Sequence, residues 1–547
     1  MHSRHASGQR SRERVTRAAS AASTARLIGW SLLLAPLACS GGCDRTPAPP
    51  APSGLTEPPS AIAPTPPFAP VGDGGLAAAV SGDAGAPPAA DAGPPPPYPG
   101  PYFTVTTGST GIYAQASADR TLKVGYARSG GRVPVFAETV AGDGCAAGWY
   151  RLVEGGYICS SDGSIDEAAP QVRLAPRRPD LRAPLPYPYA RNAQNGTPLY
   201  SSVPSKDQIA AYESYQESSD SARRALEGGS AAWWQRKEAA LNGVRLADLD
   251  VEPDGVLGRR MVKGFYIAID NEFEWTARTW YKTTKALIAP KDRFVPVEAS
   301  TFQGVSIDSE HPLPVAWVYA RDSRPTYAID DTGKVKPVGT VARFTPIHLE
   351  GDPVRAEGHE YMRSREGFWV RSEHVRIAQL SSIPVSVQPE EHWIHVDLYS
   401  QTLVAFIGAT PVYATLVSSG KESPDEEKDH RTPPGEWNIR EKHITTTMDG
   451  DGTAAGDLPY SIEDVPYVMY FRGSYALHAA FWHRNYGVRM SHGCINLAPL
   501  DAKYLFFFTG PSVREGWHGA WAGNGQTGSR IIIDGPVREP TRSAASR

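Results

Sequence analysis

A chain of 547 residues and 59.0 kDa exceeds one compact unit: at roughly 100–200 residues per domain it holds about three or four. Its 55 Lys and Arg stand against 59 Asp and Glu, giving a formal net charge of -4, so the basic excess of a nucleic-acid binder is missing and that class is excluded. Hydrophobic residues at 41%, with 13 Trp, 24 Tyr and 15 Phe, suffice for folded cores, whereas 52 Gly and 49 Pro exceed what compact domains need, so part of the chain is linker.

Residues 1–26 are studded with Arg4, Arg10, Arg12, Arg14, Arg17 and Arg26, and Leu27 to Ala38 is almost purely apolar. An apolar run of about a dozen residues is too short for the ~20 that span a bilayer as a helix, and after a cationic stretch it predicts an export signal over residues 1–43. The run ends on Ala38-Cys39 and Gly42-Cys43. This resembles a bacterial lipoprotein cleavage site, with Cys39 or Cys43 left to carry lipid, although Pro36 or Ser40 stands where such sites usually carry Leu. The alternative is an ordinary secretory signal with incidental cysteines. Both readings imply export, with the periplasm as the expected compartment and, for the first, a membrane held by a lipid anchor.

Residues 44–100 are Pro, Ala and Gly with few aromatics, ending in Pro94-Pro95-Pro96-Pro97, and predict an extended tether without a core. From residue 101 to 175, short runs such as Arg132-Val133-Pro134-Val135-Phe136 and Gly156-Tyr157-Ile158-Cys159 alternate with Gly and Asp, which predicts a small β module. Cys145 and Cys159 fall in it, and in an oxidising compartment they are expected to form a disulfide. Residues 176–300 read as mixed: helical character over Ser205 to Leu246, then β-type alternation dense in Phe265, Tyr266, Phe273, Trp275, Trp280 and Tyr281. These aromatics suit a core at least as well as a sugar-stacking surface. Short strands return over residues 301–380. The Tyr126-Ala127-Arg128 and Tyr319-Ala320-Arg321 strands, each followed by a Gly-aromatic strand, resemble degenerate bacterial SH3-like repeats. The resemblance implies either barrels that bind cell-wall glycan or peptide, or spacers that pack on the last domain.

The pattern sharpens over residues 391–535, before a short tail at 536–547. Ile394, Val396 and Leu398 alternate, Ser400-Gln401 turns the chain, and Val404 and Phe406 alternate back, predicting a hairpin with one buried face. Val412 to Val417 is a further strand, and Thr432-Pro433-Pro434-Gly435 a rigid turn into Glu436-Trp437-Asn438-Ile439. Further on stands Leu477-His478-Ala479-Ala480-Phe481-Trp482-His483, then Met490-Ser491-His492-Gly493-Cys494-Ile495-Asn496-Leu497.

A thiol attacks only as thiolate, so it needs an imidazole to take its proton and backbone donors for the oxyanion formed on attack. Cys494 supplies the thiol, Gly493 allows close backbone approach, and the N–H groups of Gly493 and Cys494 are the candidate oxyanion donors. Pro499 suits the first turn of a helix whose Leu500, Tyr504 and Phe507 share a face, and a helix start near Cys494 would favour thiolate. Sequence proximity does not decide which histidine is the base.

With a His sixteen positions before the Cys and the Ser-His-Gly-Cys run, this region resembles the YkuD-type L,D-transpeptidases. The resemblance implies a mainly β fold: a C-terminal β-sandwich catalytic domain, here preceded by the SH3-like modules and the partly helical insertion. It implies His478 as base, His492 assisting and the Ala479 carbonyl orienting His478; Ser491, Asn496, Trp482 and Ala479 are the candidate substrate-binding residues beside them. Trp482 and His483 either line the cleft or are a packed aromatic and a solvated His. Many relatives carry Arg where this chain has Asn496, so a carboxylate contact assigned to that Arg does not carry over. The implied activity is acyl transfer on peptidoglycan stem peptides through a cysteinyl thioester, with a stem amine, water or a protein amine as acceptor. A non-catalytic wall-binding protein is the rival reading. The Asp449-Gly450-Asp451-Gly452 loop and the Glu422 to Asp429 stretch lack the spaced ligands of a calcium loop, so no metal and no cofactor is expected.

Overall fold

The computed structural model describes residues 98–213, 255–424, 429–450 and 460–536, all within one compact unit, Asp73–Arg547. The expected export signal, nearly all of the tether, the last residues of the tail and the helical stretch beyond residue 213 lie outside the described residues. So do much of the Asp449–Gly452 loop and of the Glu422–Asp429 stretch. Residues 206–213 are helical. Among the described residues no helix is long and apolar enough to cross a membrane.

The protein is mainly β. Its C-terminal part is a sandwich. One layer runs in the order Val305–Ser306, Thr410–Leu416, Thr402–Ile407, His392–Asp397, Arg530–Asp534 and Gly435–Asn438. The other carries Glu441–Gly450, Tyr460–Arg472, Tyr475–Ala479 and Ile495–Leu497. Ile394, Val396, Leu403, Ala405, Ile531 and Ile533 from the first layer meet Tyr467, Met469, Leu477 and Leu497 from the second, and the helix Pro499–Phe508 closes the core. That helix buries Ala502, Leu505 and Phe506. Leu500, Tyr504 and Phe507 are only half-buried, so the expected apolar face is displaced by about one position. A helix that is apolar nearly all round does not reveal its inner face by periodicity.

The hairpin His392–Asp397 and Thr402–Ile407 is buried on both faces, not one. Its second face, through Trp393, Val404 and Phe406, packs with Phe302, Val315 and Trp317. The polar side expected from a lone sandwich is therefore covered by the segment upstream.

The upstream modules share cores and strands with the sandwich. Lys123–Arg128 pairs antiparallel with Gly519–Trp521, and Trp517 joins Phe103, Ile112, Val133 and Ile158 in one cluster. Gly125 is required there, since a Cβ would lie 2.3 Å from the Trp517 ring. Cys145 and Cys159 are joined by a disulfide, with a Cα–Cα distance of 5.8 Å. Residues of the second module form a seven-stranded sheet with its own core of Val318, Ile347, Leu349 and Val370. In the mixed region Trp280 and Tyr281 are buried, while Tyr266 turns its ring edge towards Phe481 of the sandwich at 5.5 Å between centroids.

Two buried carboxylates on the Tyr460–Arg472 strand tie these parts together. Asp464, in left-handed backbone at φ 49, accepts from Arg128 at 2.7 Å and from Thr284 at 2.5 Å, with Lys285 at 3.6 Å. Tyr189 donates to its carbonyl. Glu463 pairs with Arg259 and accepts from the Ala268 amide. Burial raises the Asp464 carboxyl, but Arg128 and Lys285 more than offset it and hold it at about 2. Glu463, similarly buried and close to Asp464, is pushed up to about 7 against the pull of Arg259.

Candidate active site

The site is built on two adjacent parallel strands. Leu477 pairs with Ile495, His478 with Asn496 and Ala479 with Leu497. Side chains alternate along a strand, so one step back in register sets Cys494 beside Ala476, on the face that also carries His478 and Asn496. Leu477, Ile495 and Leu497 point the other way, into the sandwich core, and this apolar anchoring fixes the face presented by the polar residues between them.

The turn before Cys494 is held by side chains that reach it from far along the chain. Thr432, the first residue of the Thr-Pro-Pro-Gly turn, is buried; its Oγ1 donates to the Gly493 carbonyl at 2.8 Å and accepts from the Gly420 amide at 2.9 Å. Gly493 sits at φ 117, and a Cβ there would lie 2.5 Å from the Tyr475 ring, so only glycine fits. The Ser491 hydroxyl accepts from the Gly493 amide at 3.1 Å and donates to the Cys494 carbonyl. Two expectations change as a result. Ser491 is an internal strut of the turn, with its hydroxyl already engaged on both sides. The Gly493 N–H is turned onto Ser491, which leaves the Cys494 amide as the candidate oxyanion donor of that pair.

His478 is buried, with Nδ1 3.2 Å from the Ala479 carbonyl. A carbonyl only accepts, so Nδ1 carries the proton and Nε2 is the basic nitrogen. Burial lowers the ring to about 4, the Ala479 bond opposing only in part. Cys494 is the free cysteine of the described residues and is half-buried. Its apolar surroundings push the thiol up to about 11, against the pull of the Ala476 amide, and Sγ lies 3.7 Å from the Ser474 carbonyl. The resting pair is therefore neutral thiol and neutral imidazole. The expected helix start beside Cys494 is absent: the strand Ile495–Leu497 intervenes, and the helix begins at Pro499, beyond the reach of a dipole that fades within one turn.

The other expected residues separate. Trp482 is half-buried and stacks on His478 at 5.6 Å and 28°. His492 is exposed, its ring 4.8 Å from that of His430. His483 is not a solvated histidine: it is largely enclosed, lowered to about 4 by burial, and lies 2.9 Å from Asn496. Sequence reasoning missed Tyr475 and His430, which had no motif to mark them, and took Thr432 for a turn residue only. It also left the mixed region outside the site. Tyr187, Tyr189 and Ala268 of that region join Ala476 and Phe481 in the cluster on which Cys494 and Trp482 pack. Among the described residues no group of three or more His, Cys, Asp or Glu is placed to hold a metal ion.

Residues 391–533 match the family model of the YkuD L,D-transpeptidase catalytic domain. Among solved structures, the chain is similar to the catalytic domain of an Enterococcus faecium L,D-transpeptidase, at 24% identity over 26% of this chain and 98% of that one, with a TM-score of 0.20. It is also similar to an L,D-transpeptidase from Stackebrandtia nassauensis, at 22% identity over 28% and 60% of the two chains, TM-score 0.19. A third, from Mycobacterium smegmatis, is 16% identical over 47% and 90%, TM-score 0.21. No curated protein matches the chain.

Proposed function

We propose that this chain is an exported cysteine acyltransferase that cross-links peptidoglycan stem peptides, anchored to a membrane through lipid on Cys39 or Cys43. The observation that carries the reading is the placement of Cys494 and His478 on one face of two paired strands, within a region that matches the L,D-transpeptidase catalytic domain. His478 Nε2 takes the thiol proton as Sγ attacks the amide carbonyl between the third residue and the terminal D-Ala of a tetrapeptide stem. The Cys494 amide faces the oxyanion. Collapse breaks the C–N bond, His478 returns the proton to the departing D-Ala amine, and an acyl thioester remains on Sγ. An amine of a second stem attacks the thioester, passes its proton to His478, and leaves with the acyl group as a 3-3 cross-link, regenerating the thiol. Starting from two neutral groups avoids a charged resting pair in an apolar site; charge appears only where the backbone amide and the imidazole meet it.

Incubation with purified disaccharide-tetrapeptides, followed by mass analysis of products, tests the reading. Cross-linked dimers are the expected result. Tripeptides alone would make the same site a carboxypeptidase, and unchanged substrate would remove the enzymatic reading in favour of a wall-binding protein.

A further inference from the structure

Between His478 and Cys494 the chain makes a loop over residues 481–491, and this loop is clamped by the second upstream module. Arg376 donates to the Gly487 carbonyl at 2.9 Å, and Arg343 to that of Arg484. From within, the buried Tyr486 hydroxyl donates to the Ala480 carbonyl at 2.9 Å, with the His483 carbonyl 3.2 Å away. The imidazole so fixed is His483. The Asn485 amide donates to its Nδ1 at 3.1 Å, so Nδ1 is an acceptor and the proton of the neutral ring sits on Nε2. That nitrogen lies 2.9 Å from the carboxamide nitrogen of Asn496 as placed. Two donors cannot share a hydrogen bond, and the two ends of an amide are distinguished only by their partners. The carboxamide oxygen therefore faces His483, and the NH2 takes the opposite position, where the atom is buried without a partner. Asn496 as a whole is 4% exposed. A buried amide donor left unpaired costs about 1–3 kcal/mol, so each such group in a folded protein calls for a partner or a role.

We propose that His483 is a positioning residue: by donating Nε2–H to the Asn496 oxygen it locks that carboxamide, so that the NH2 is presented, on the strand face shared with Cys494, to a carbonyl oxygen of the bound peptide. The substrate class rests on the function proposed above; the lock itself rests on the Asn485, His483 and Asn496 geometry. The ring lowered by burial to about 4 is consistent with it, since a cationic ring would set an N–H against the Asn485 amide.

The test uses the full-length protein, a disaccharide-tetrapeptide as acyl donor and iodoacetamide as a small thiol probe. His483→Ala should slow acylation by about tenfold to a hundredfold, the worth of one buried donor left loose, while alkylation of Cys494 stays within about twofold. His483→Gln, which keeps a donor at similar reach, should recover most of the loss. Asn496→Ala should match His483→Ala, and the double variant should be no worse than either single one. Multiplying losses, or an alkylation defect as large as the acylation defect, would overturn the proposal. Independently of activity and of any variant, a histidine-labelled nitrogen spectrum of the wild-type protein should show His483 protonated on Nε2 and bare on Nδ1; a proton on Nδ1 overturns the lock. A wild-type protein that the stem does not acylate would overturn the reaction and the donor's role together, while the ring spectrum would still decide the tautomer.

Discussion

At Cys494 and His478, burial does the opposite of what the isolated motif suggests. A Cys–His pair reads as a thiolate held by an imidazolium, but desolvation penalises both charged forms, raising the thiol to about 11 and lowering the ring to about 4. The pH dependence follows with a definite sign. His478 must be neutral to accept the proton, so acylation should rise with pH through about 4 and then stay level to the alkaline range. It should show no inflection near 6.5, where a free imidazole would titrate. Alkylation of the thiol should climb only towards about 11, above the ~8.5 of free Cys. His478→Ala should abolish the acid limb and slow acylation by about two or more orders of magnitude, read from rates at fixed substrate across pH. A limb centred near 6.5 would show that the ring is solvated when substrate binds. Thr432 makes a second residue-scale case. Thr432→Val removes one buried donor and one buried acceptor from the Cys494 turn, and should slow acylation by about tenfold or more, with Thr432→Ser recovering it.

Among the elements, those with local periodicity were legible: the His392–Asp397 hairpin, the strand after the Thr-Pro-Pro-Gly turn and the helix announced by Pro499 are all present near their expected places. What was illegible is what faces them. Nothing in Trp393, Val404 or Phe406 tells that Phe302 and Trp317 cover the second face of the hairpin, because alternation reports burial but not the identity of the partner. The same holds for the site. Cys494 and His478 stand out by motif, whereas Tyr475 and the struts from Thr432 arise from contacts far apart in sequence. The Glu463–Asp464 pair on the Tyr460–Arg472 strand lay hidden for that reason, since two adjacent acids read as a solvated edge. Its partners make it a fastening: Arg128 comes from the first module, Thr284 and Lys285 from the mixed region. Asp464→Ala leaves Arg128 partly buried without its carboxylate partner, and should destabilise by about 3–5 kcal/mol. Glu167→Ala, whose exposed carboxylate pairs with Arg132, should cost about 0–1 kcal/mol. Urea unfolding of the two variants, followed by tryptophan fluorescence, compares them directly.

At the scale of the molecule, the upstream modules among the described residues are continuous with the C-terminal sandwich. The first lends a strand to the layer that ends in Gly519–Trp521, the mixed region supplies Tyr187 and Tyr189 to the cluster under Cys494, and the second module grips the loop that carries His483. This packing favours the spacer reading of the upstream modules. In the proposed reaction Cys494 carries the acyl group. The direct measurement is the mass of the Cys494 peptide after brief incubation of the protein with a tetrapeptide stem and acid quench. A gain equal to the stem less D-Ala, confined to that peptide and absent in Cys494→Ala, is the expected result. Cross-linked product from Cys494→Ala, or an acyl adduct on another residue, would contradict the account.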